Sequence, residues 1–205
     1  MGRLISFEGG DGAGKSTQIA LLATWLREQG REVVQTREPG GTPEGEAVRN
    51  LLVSGAKHWD GVAEALLVTA ARRHHWRQVI EPAMKAGRFV LCDRFSDSTR
   101  AYQGAGRGVP RQVLDQLLEL ATGGVLPDLT IILDIDPQLG LRRAARRQDS
   151  ENRFEREAIE FHQRLRDEFL SIAAAEPVRC VVIDASLGID AIAEQIRSVV
   201  KERLL

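Results

Sequence analysis

Five short apolar runs limit what this chain can fold into: LISFE at 4–8, EVVQTRE at 32–38, RFVLCD at 88–93, LTIILDI at 129–135 and RCVVID at 179–184. Most are continuous in polarity rather than alternating, the pattern of strands covered on both faces. Between them the spacing predicts helices over 15–29, about 43–54, about 62–86, 110–121, 137–147, 155–175 and 188–203, three of them closed by Gly30, Gly87 and Gly123. Strands alternating with helices predict an α/β fold, a parallel sheet with helices on both sides. Ligands of such sheets bind at the carboxyl ends of the strands. The polar motifs EGGDGAGKS, TREPGG, DRFSDS, DIDP and DASLG each follow a predicted strand.

The first of these motifs carries the clearest chemistry. Gly9 to Ser16 match G-x-x-x-x-G-K-[S/T] between a predicted strand and a predicted helix. Glycines let successive N–H groups and the helix N-terminus face phosphate oxygens. Lys15 adds a mobile charge, and the Ser16 hydroxyl suits Mg²⁺. The stretch Gly9, Gly10, Asp11, Gly12, Ala13, Gly14, Lys15, Ser16 and Thr17 is the expected ATP cradle. A carboxylate there, Asp11, is out of place unless something offsets its charge. The chain has no Asn-Lys-x-Asp or Thr-Lys-x-Asp stretch for guanine, which counts against a GTPase switch.

A second constellation lies beyond the other strands. Arg37 in TREPGGT and Arg94 in DRF are placed to grip a phosphate. Asp93 is placed to hold Mg²⁺ or its water. The segment STRAYQGAGRG, 98–108, offers hydroxyls, an amide and Tyr102 to a base or sugar.

Composition narrows the partners. A 205-residue chain with 43% hydrophobic and 28% charged residues and a net charge of −1 reads as one compact domain, 1–205. Near-neutral charge gives no general reason to expect nucleic acid or a membrane. Cys92 and Cys180 sit in apolar runs and are expected as reduced, buried thiols. The N-terminus shows no leader pattern and no run approaches a membrane span, so the expected compartment is the cytoplasm. His74 and His75 are adjacent on a predicted helix, where side chains point ~100° apart, and no third metal ligand accompanies them.

The ordered set FEGGDGAGKSTQ, TREPGGT, AARR, DRF, STRAYQGAGRG, LPDLTIILDI and NRFE resembles the thymidylate kinases of the bacterial type, from about residue 4 to 184. The resemblance implies a P-loop NTPase fold with a five-stranded parallel sheet, and transfer of the γ-phosphoryl of ATP to dTMP with Mg²⁺. It also implies a homodimer. Carried onto this sequence, it makes Lys15 and Ser16 the ATP–Mg²⁺ contacts, Arg37 and Arg94 the dTMP phosphate clamps, and Asp93 the acid near the metal. Arg72 would hydrogen-bond thymine, while Ser98, Thr99 and Gln103 would surround base and sugar. Tyr102 would crowd the 2′ carbon. Asp11 would accept from the 3′-hydroxyl and meet Arg37 or Arg94. Members of the family usually stack a phenylalanine on the base four residues before Arg72, where this chain has Val68. Losing that partner costs ~1 kcal/mol of base binding and leaves another monophosphate as the alternative acceptor.

Phosphoryl transfer needs cations on the equatorial oxygens. Some members carry an arginine directly after the P-loop carboxylate, where this chain has Gly12. The replacement is expected in a lid at about 142–155, RRAARRQDSENRFE, with Arg143, Arg147 and Arg153 as the candidates, Arg153 foremost. Arg146 and Arg147 remain alternatives for the second phosphate contact.

Overall fold

The computed structural model describes residues 2–53, 59–145, 154 and 157–205. Five strands, β1 (Arg3–Glu8), β2 (Val33–Arg37), β3 (Phe89–Asp93), β4 (Leu129–Asp134) and β5 (Cys180–Asp184), form one parallel sheet in the order β2-β3-β1-β4-β5. Each coincides with a predicted strand. Neighbouring residues of a strand point to opposite faces, and here both faces are covered. Ile5, Phe7, Leu91 and Ile131 pack with Leu22, Leu26 and Ile196 from one set of helices. Leu4, Val90 and Cys92 pack on the other side with Trp76, Ile80 and Phe95. Burying side chains of this size is worth ~1.5–3 kcal/mol each, which explains the unbroken apolar runs.

The helices are α1 (Lys15–Glu28), α2 (Pro43–Val53), α3 (Gly61–His75), α4 (Glu81–Lys85), α5 (Ser96–Thr99), α6 (Arg111–Thr122), α7 (Pro137–Ala144), α8 (Ile159–Ala175) and α9 (Ile189–Leu204). Local signals set several ends. The Asp60 carboxylate accepts from the Ala63 N–H and starts α3; Asp136 does the same for Leu139 and α7. Gly123, at φ 69°, stops α6. The single helix expected over 62–86 is α3 and α4 joined by a wider π turn, Trp76–Ile80. Helix α8 starts at Ile159, later than residue 155.

One helical stretch was not expected: α5 and the π turn Arg100–Ala105 that continues it. Serine, aspartate, threonine and glycine are weak helix formers, so tertiary bonds must hold this segment. Asp97, fully buried, accepts both guanidinium nitrogens of Arg179 at 2.7 and 2.8 Å and Arg100 Nη1 at 3.1 Å. Arg100 and Arg179 both also reach Glu176. This cluster fastens α5 to the turn before β5. Cys92 and Cys180 are buried and unpaired with each other. None of the described helices is long and apolar enough to cross a membrane.

Asp97→Ala removes the buried acceptor shared by two guanidinium groups, leaving them Glu176, and should lower unfolding stability by about 1.5–3 kcal/mol, read from the urea midpoint at unchanged m-value.

Candidate active site

The five strands end on one rim, and the polar side chains gather there. After β1 the chain curls through Gly9, Gly12 and Gly14, all at positive φ, before α1 begins at Lys15. Gly12, at φ 74°, passes so close to α7 that a Cβ would collide with the Gly140 carbonyl oxygen. A Cβ on Gly140 would in turn lie 2.5 Å from the Asp11 carbonyl oxygen. An arginine cannot occupy position 12 in this packing, so glycine there is required by the close approach to Gly140.

Lys15 folds back over the loop and donates to the carbonyls of Gly9 and Gly10 at 3.1 and 2.9 Å. Burial, then Arg94, bring its ammonium down to about 8 against Asp93, Asp11 and Glu8. The Ser16 hydroxyl donates to Asp93 Oδ2 at 2.9 Å across the mouth of the loop. Thr17 is exposed on α1, and the Ala13 methyl is buried in the core. Neither side chain lines a described cavity, so any part these two residues take in the cradle is through the backbone.

Arg94 joins this loop to its neighbour. Its guanidinium donates to Asp11 Oδ1 at 2.7 Å, to the Gly9 carbonyl at 3.0 Å and to Ser98 Oγ at 3.3 Å, and it lies 4.8 Å from the Tyr102 ring centre. It is the one non-glycine residue at positive φ among those described, 68°. That backbone region is costly for a side chain and is kept where surroundings enforce it. Burial would raise the Asp11 carboxyl, but Arg94 and then Lys15 outweigh it and hold Asp11 below the usual carboxylate range. The expected choice between Arg37 and Arg94 as partner of Asp11 falls to Arg94. Arg37 instead pairs with Glu46 at 3.2 and 2.8 Å and is half exposed at the end of β2.

Arg72 is 3% exposed and tightly held: Nε donates to Glu38 at 2.6 Å, and Nη2 to the Phe95 carbonyl and to Thr99 Oγ1 at 3.0 and 2.9 Å. His75 supports the same carboxylate at 3.0 Å and touches Thr36 at 2.6 Å. Arg72 and then His75 overcome burial and keep Glu38 ionised, below its ordinary range.

Two cavities meet at this rim. One, of about 110 Å³, is walled by Pro39, Leu52, Val68, Phe95, Tyr102 and Phe154, with Arg72, Ser98, Thr99 and Gln103 as its polar lining. The other, of about 190 Å³, is almost wholly polar and holds Gly12, Gly14, Lys15, Ser16, Arg37 and Asp93. Asp11, Glu38, Arg49 and Arg94 line both. The structure therefore brings together most of the residues singled out from the sequence, but Gly9, Gly10, Ala13, Thr17 and Arg143 line neither cavity. Gln103 is 4% exposed and donates to Glu64 at 3.3 Å. Arg143 reaches the Ala185 carbonyl at 2.8 Å, near the end of β5. Arg146, Arg147 and Arg153 lie outside the described residues.

Sequence reasoning missed Glu8, Glu38, Arg49 and Phe154. Glu38 stands inside the quoted TREPGG motif, but nothing local says that its carboxylate turns inward to Arg72. Arg49 sits on α2, where only the packing of that helix over the rim brings it to both cavities.

A five-stranded parallel sheet with a glycine-rich loop and lysine between β1 and α1 defines a P-loop protein of the nucleoside monophosphate kinase type. The thymidylate kinase family profile matches residues 7–196. A thymidylate kinase of Caulobacter vibrioides is 53% identical over 204 residues, covering 99% of this chain and 98% of its own. One of Magnetococcus marinus is 53% identical over 196 residues, covering 95% and 93%. The crystal structure of thymidylate kinase from Ehrlichia chaffeensis superposes with a TM-score of 0.80 at 40% identity, over 98% of both chains. This chain belongs to the thymidylate kinase family.

Gly12→Ala combines a left-handed backbone with a collision against Gly140, and should cost about 2 kcal/mol or more of stability, measured by denaturant unfolding. A change within ~0.5 kcal/mol would show that the loop and α7 are not locked together.

Proposed function

We propose that the protein transfers the γ-phosphoryl group of ATP to dTMP, giving ADP and dTDP. What carries this reading is the junction at Asp11 and Arg94, where a polar phosphate cradle and a partly apolar cavity share their walls. A donor polyphosphate in the first and a nucleoside monophosphate in the second would meet there. In-line transfer then needs positioning and electrostatics more than new covalent chemistry.

Gly9 to Ser16 cradle the donor phosphates, and Lys15 exchanges its two loop carbonyls for phosphate oxygens. Ser16 Oγ and the Asp93 carboxylate are hard oxygen donors 2.9 Å apart. They fit Mg²⁺, which takes one or two protein oxygens beside phosphates and water. Bound there, the ion would neutralise charge on the phosphate oxygens. Arg94, with Arg37 and Arg49 on the same rim, holds the acceptor phosphate. Arg72, fixed by Glu38, addresses the base. Asp11 accepts from the 3′-hydroxyl, and Tyr102 closes the space beside the sugar. The attacking group is a phosphate oxygen already anionic at neutral pH, so no general base is required. A lid at about 142–155 excludes water and brings the cation that Gly12 cannot supply, with Arg153 as its foremost contributor.

A different acceptor base is the second reading. Val68, 7% exposed on the cavity wall, favours it because it offers no ring for stacking. Incubation with ATP, Mg²⁺ and a panel of nucleoside monophosphates tests both. ADP formation dependent on dTMP supports the first, another preferred acceptor the second, and ADP formation indifferent to acceptor would sink the kinase reading.

The exposed Leu51 of α2, Val62 and Leu66 of α3 and Leu120 of α6 lie on helices that pack against each other, and support a homodimer joined through this face. Buried unpaired thiols support the reducing cytoplasm as its compartment.

Arg153→Ala should lower kcat at least about a hundredfold with dTMP binding nearly intact, measured by steady-state kinetics and calorimetry; a kcat near wild type would remove the lid arginine from the mechanism. Sedimentation should give twice the chain mass, and Leu66→Glu should shift it toward the monomer.

A further inference from the structure

Beneath the acceptor clamp lies a carboxylate that no step above uses. Glu8, the last residue of β1, is fully buried. Its Oε1 accepts the Phe95 N–H at 2.7 Å, and its Oε2 accepts the Ser98 hydroxyl at 2.5 Å. Ser98 Oγ in turn accepts from Arg94 Nη1. The preceding residue of the same strand takes part as well, since the Phe7 carbonyl accepts the Arg94 N–H at 3.0 Å. Adjacent residues of β1 therefore grip adjacent residues after β3, and the residue held in the left-handed backbone region is Arg94.

The direction of these bonds depends on charge. The Phe95 N–H can only donate, so one Glu8 oxygen must accept. With Glu8 ionised, the second oxygen accepts from Ser98, and both Ser98 lone pairs stay open, one of them to Arg94. A protonated carboxyl would donate to Ser98, reverse that bond and withdraw the negative charge behind the guanidinium.

We infer that Glu8 is a positioning residue of the acceptor site: its carboxylate, through Phe95 and Ser98, aims the Arg94 guanidinium at the acceptor's phosphate, and losing it weakens the monophosphate while sparing ATP. This rests on the reading of the Arg94 cavity as the acceptor site. Asp97 of α5, Arg94 after β3, Lys15 at the head of α1, Tyr102 of the π turn and Cys92 of β3 all act electrostatically with Glu8. Burial first, then Asp97, lift its carboxyl to about 7, while Ser98, Arg94 and the Phe95 N–H pull the other way. The group is ionised above that value and neutral below it. Acceptor affinity should fall as pH drops through about 7, by more than protonation of the substrate's own phosphate accounts for.

Steady-state kinetics of the full chain between about pH 6 and 8.5, with whichever monophosphate the wild type accepts, test this in Glu8→Gln and Glu8→Asp. Glu8→Gln should raise the acceptor KM about tenfold or more at pH 8, leave the ATP KM within about twofold, and flatten the pH dependence to that of the substrate alone. Equal pH profiles in wild type and Glu8→Gln, or acceptor and ATP KM rising together, would overturn the inference. If Glu8→Gln does not fold, Glu8→Asp decides: it keeps the charge and the pH step but falls short of Ser98, so its acceptor KM should rise alone. An unchanged acceptor KM in Glu8→Asp overturns the inference. A wild type that prefers a monophosphate other than dTMP defeats the dTMP reading and leaves the Glu8 comparison to be made with that acceptor.

Discussion

The ion pair between Arg94 and Asp11 organises the rim of this sheet. A part-buried guanidinium among carboxylates and an aromatic ring needs partners on its covered sides, because an unpaired charge there would be costly. Arg94 finds them in the loop after β1, in Ser98 of α5 and on the face of Tyr102. Two loops and a helix are thereby held in one arrangement. The backbone cost of a left-handed arginine is offset by these bonds, and what results is a cation fixed between two cavities.

Charge is distributed around that pair in layers. Glu8 lies behind it, Asp97 beyond Glu8, and Arg100 with Arg179 beyond Asp97. Each of these buried carboxylates has a cation, or N–H and hydroxyl donors, beside it, which offsets part of the cost of burying its charge. On the other flank, Glu38 plays the same part for Arg72, with His75 behind it. Arg94 and Arg72 are thus each held by an acid before any ligand arrives, Arg94 by Glu8 through Ser98 and Arg72 by Glu38 directly, which under the proposed function limits the reorganisation left to occur on binding.

Close backbone packing also decides where positive charge can come from. Gly12 and Gly140 approach so nearly that neither tolerates a side chain, and the loop after β1 cannot carry its own arginine. Under the proposed function the cation would come from another segment, one able to withdraw when product leaves.

Much of this was legible in the amino-acid order because the signals are local. Continuous apolar runs marked the central strands, since burial on both faces demands them. Gly30, Gly87 and Gly123 marked helix ends, and spacing alone identified the loop from Gly9 to Ser16. Resemblance to a family then gathered Arg37, Arg72 and Arg94 into one site. What it left open was settled by long-range geometry. That Asp11 meets Arg94 and not Arg37, that Glu46 takes Arg37, and that Glu8 and Glu38 turn inward are contacts between residues up to 90 positions apart, invisible to any window along the chain. The helix at 96–105 was missed for the same reason: its residues favour turns, and the partners that hold it, Glu8 and Arg179, come from β1 and the approach to β5. The sequence by itself determined the elements and the chemistry available at the strand ends; the tertiary structure decided which charges pair, because pairing depends on proximity in three dimensions and on exclusion of water.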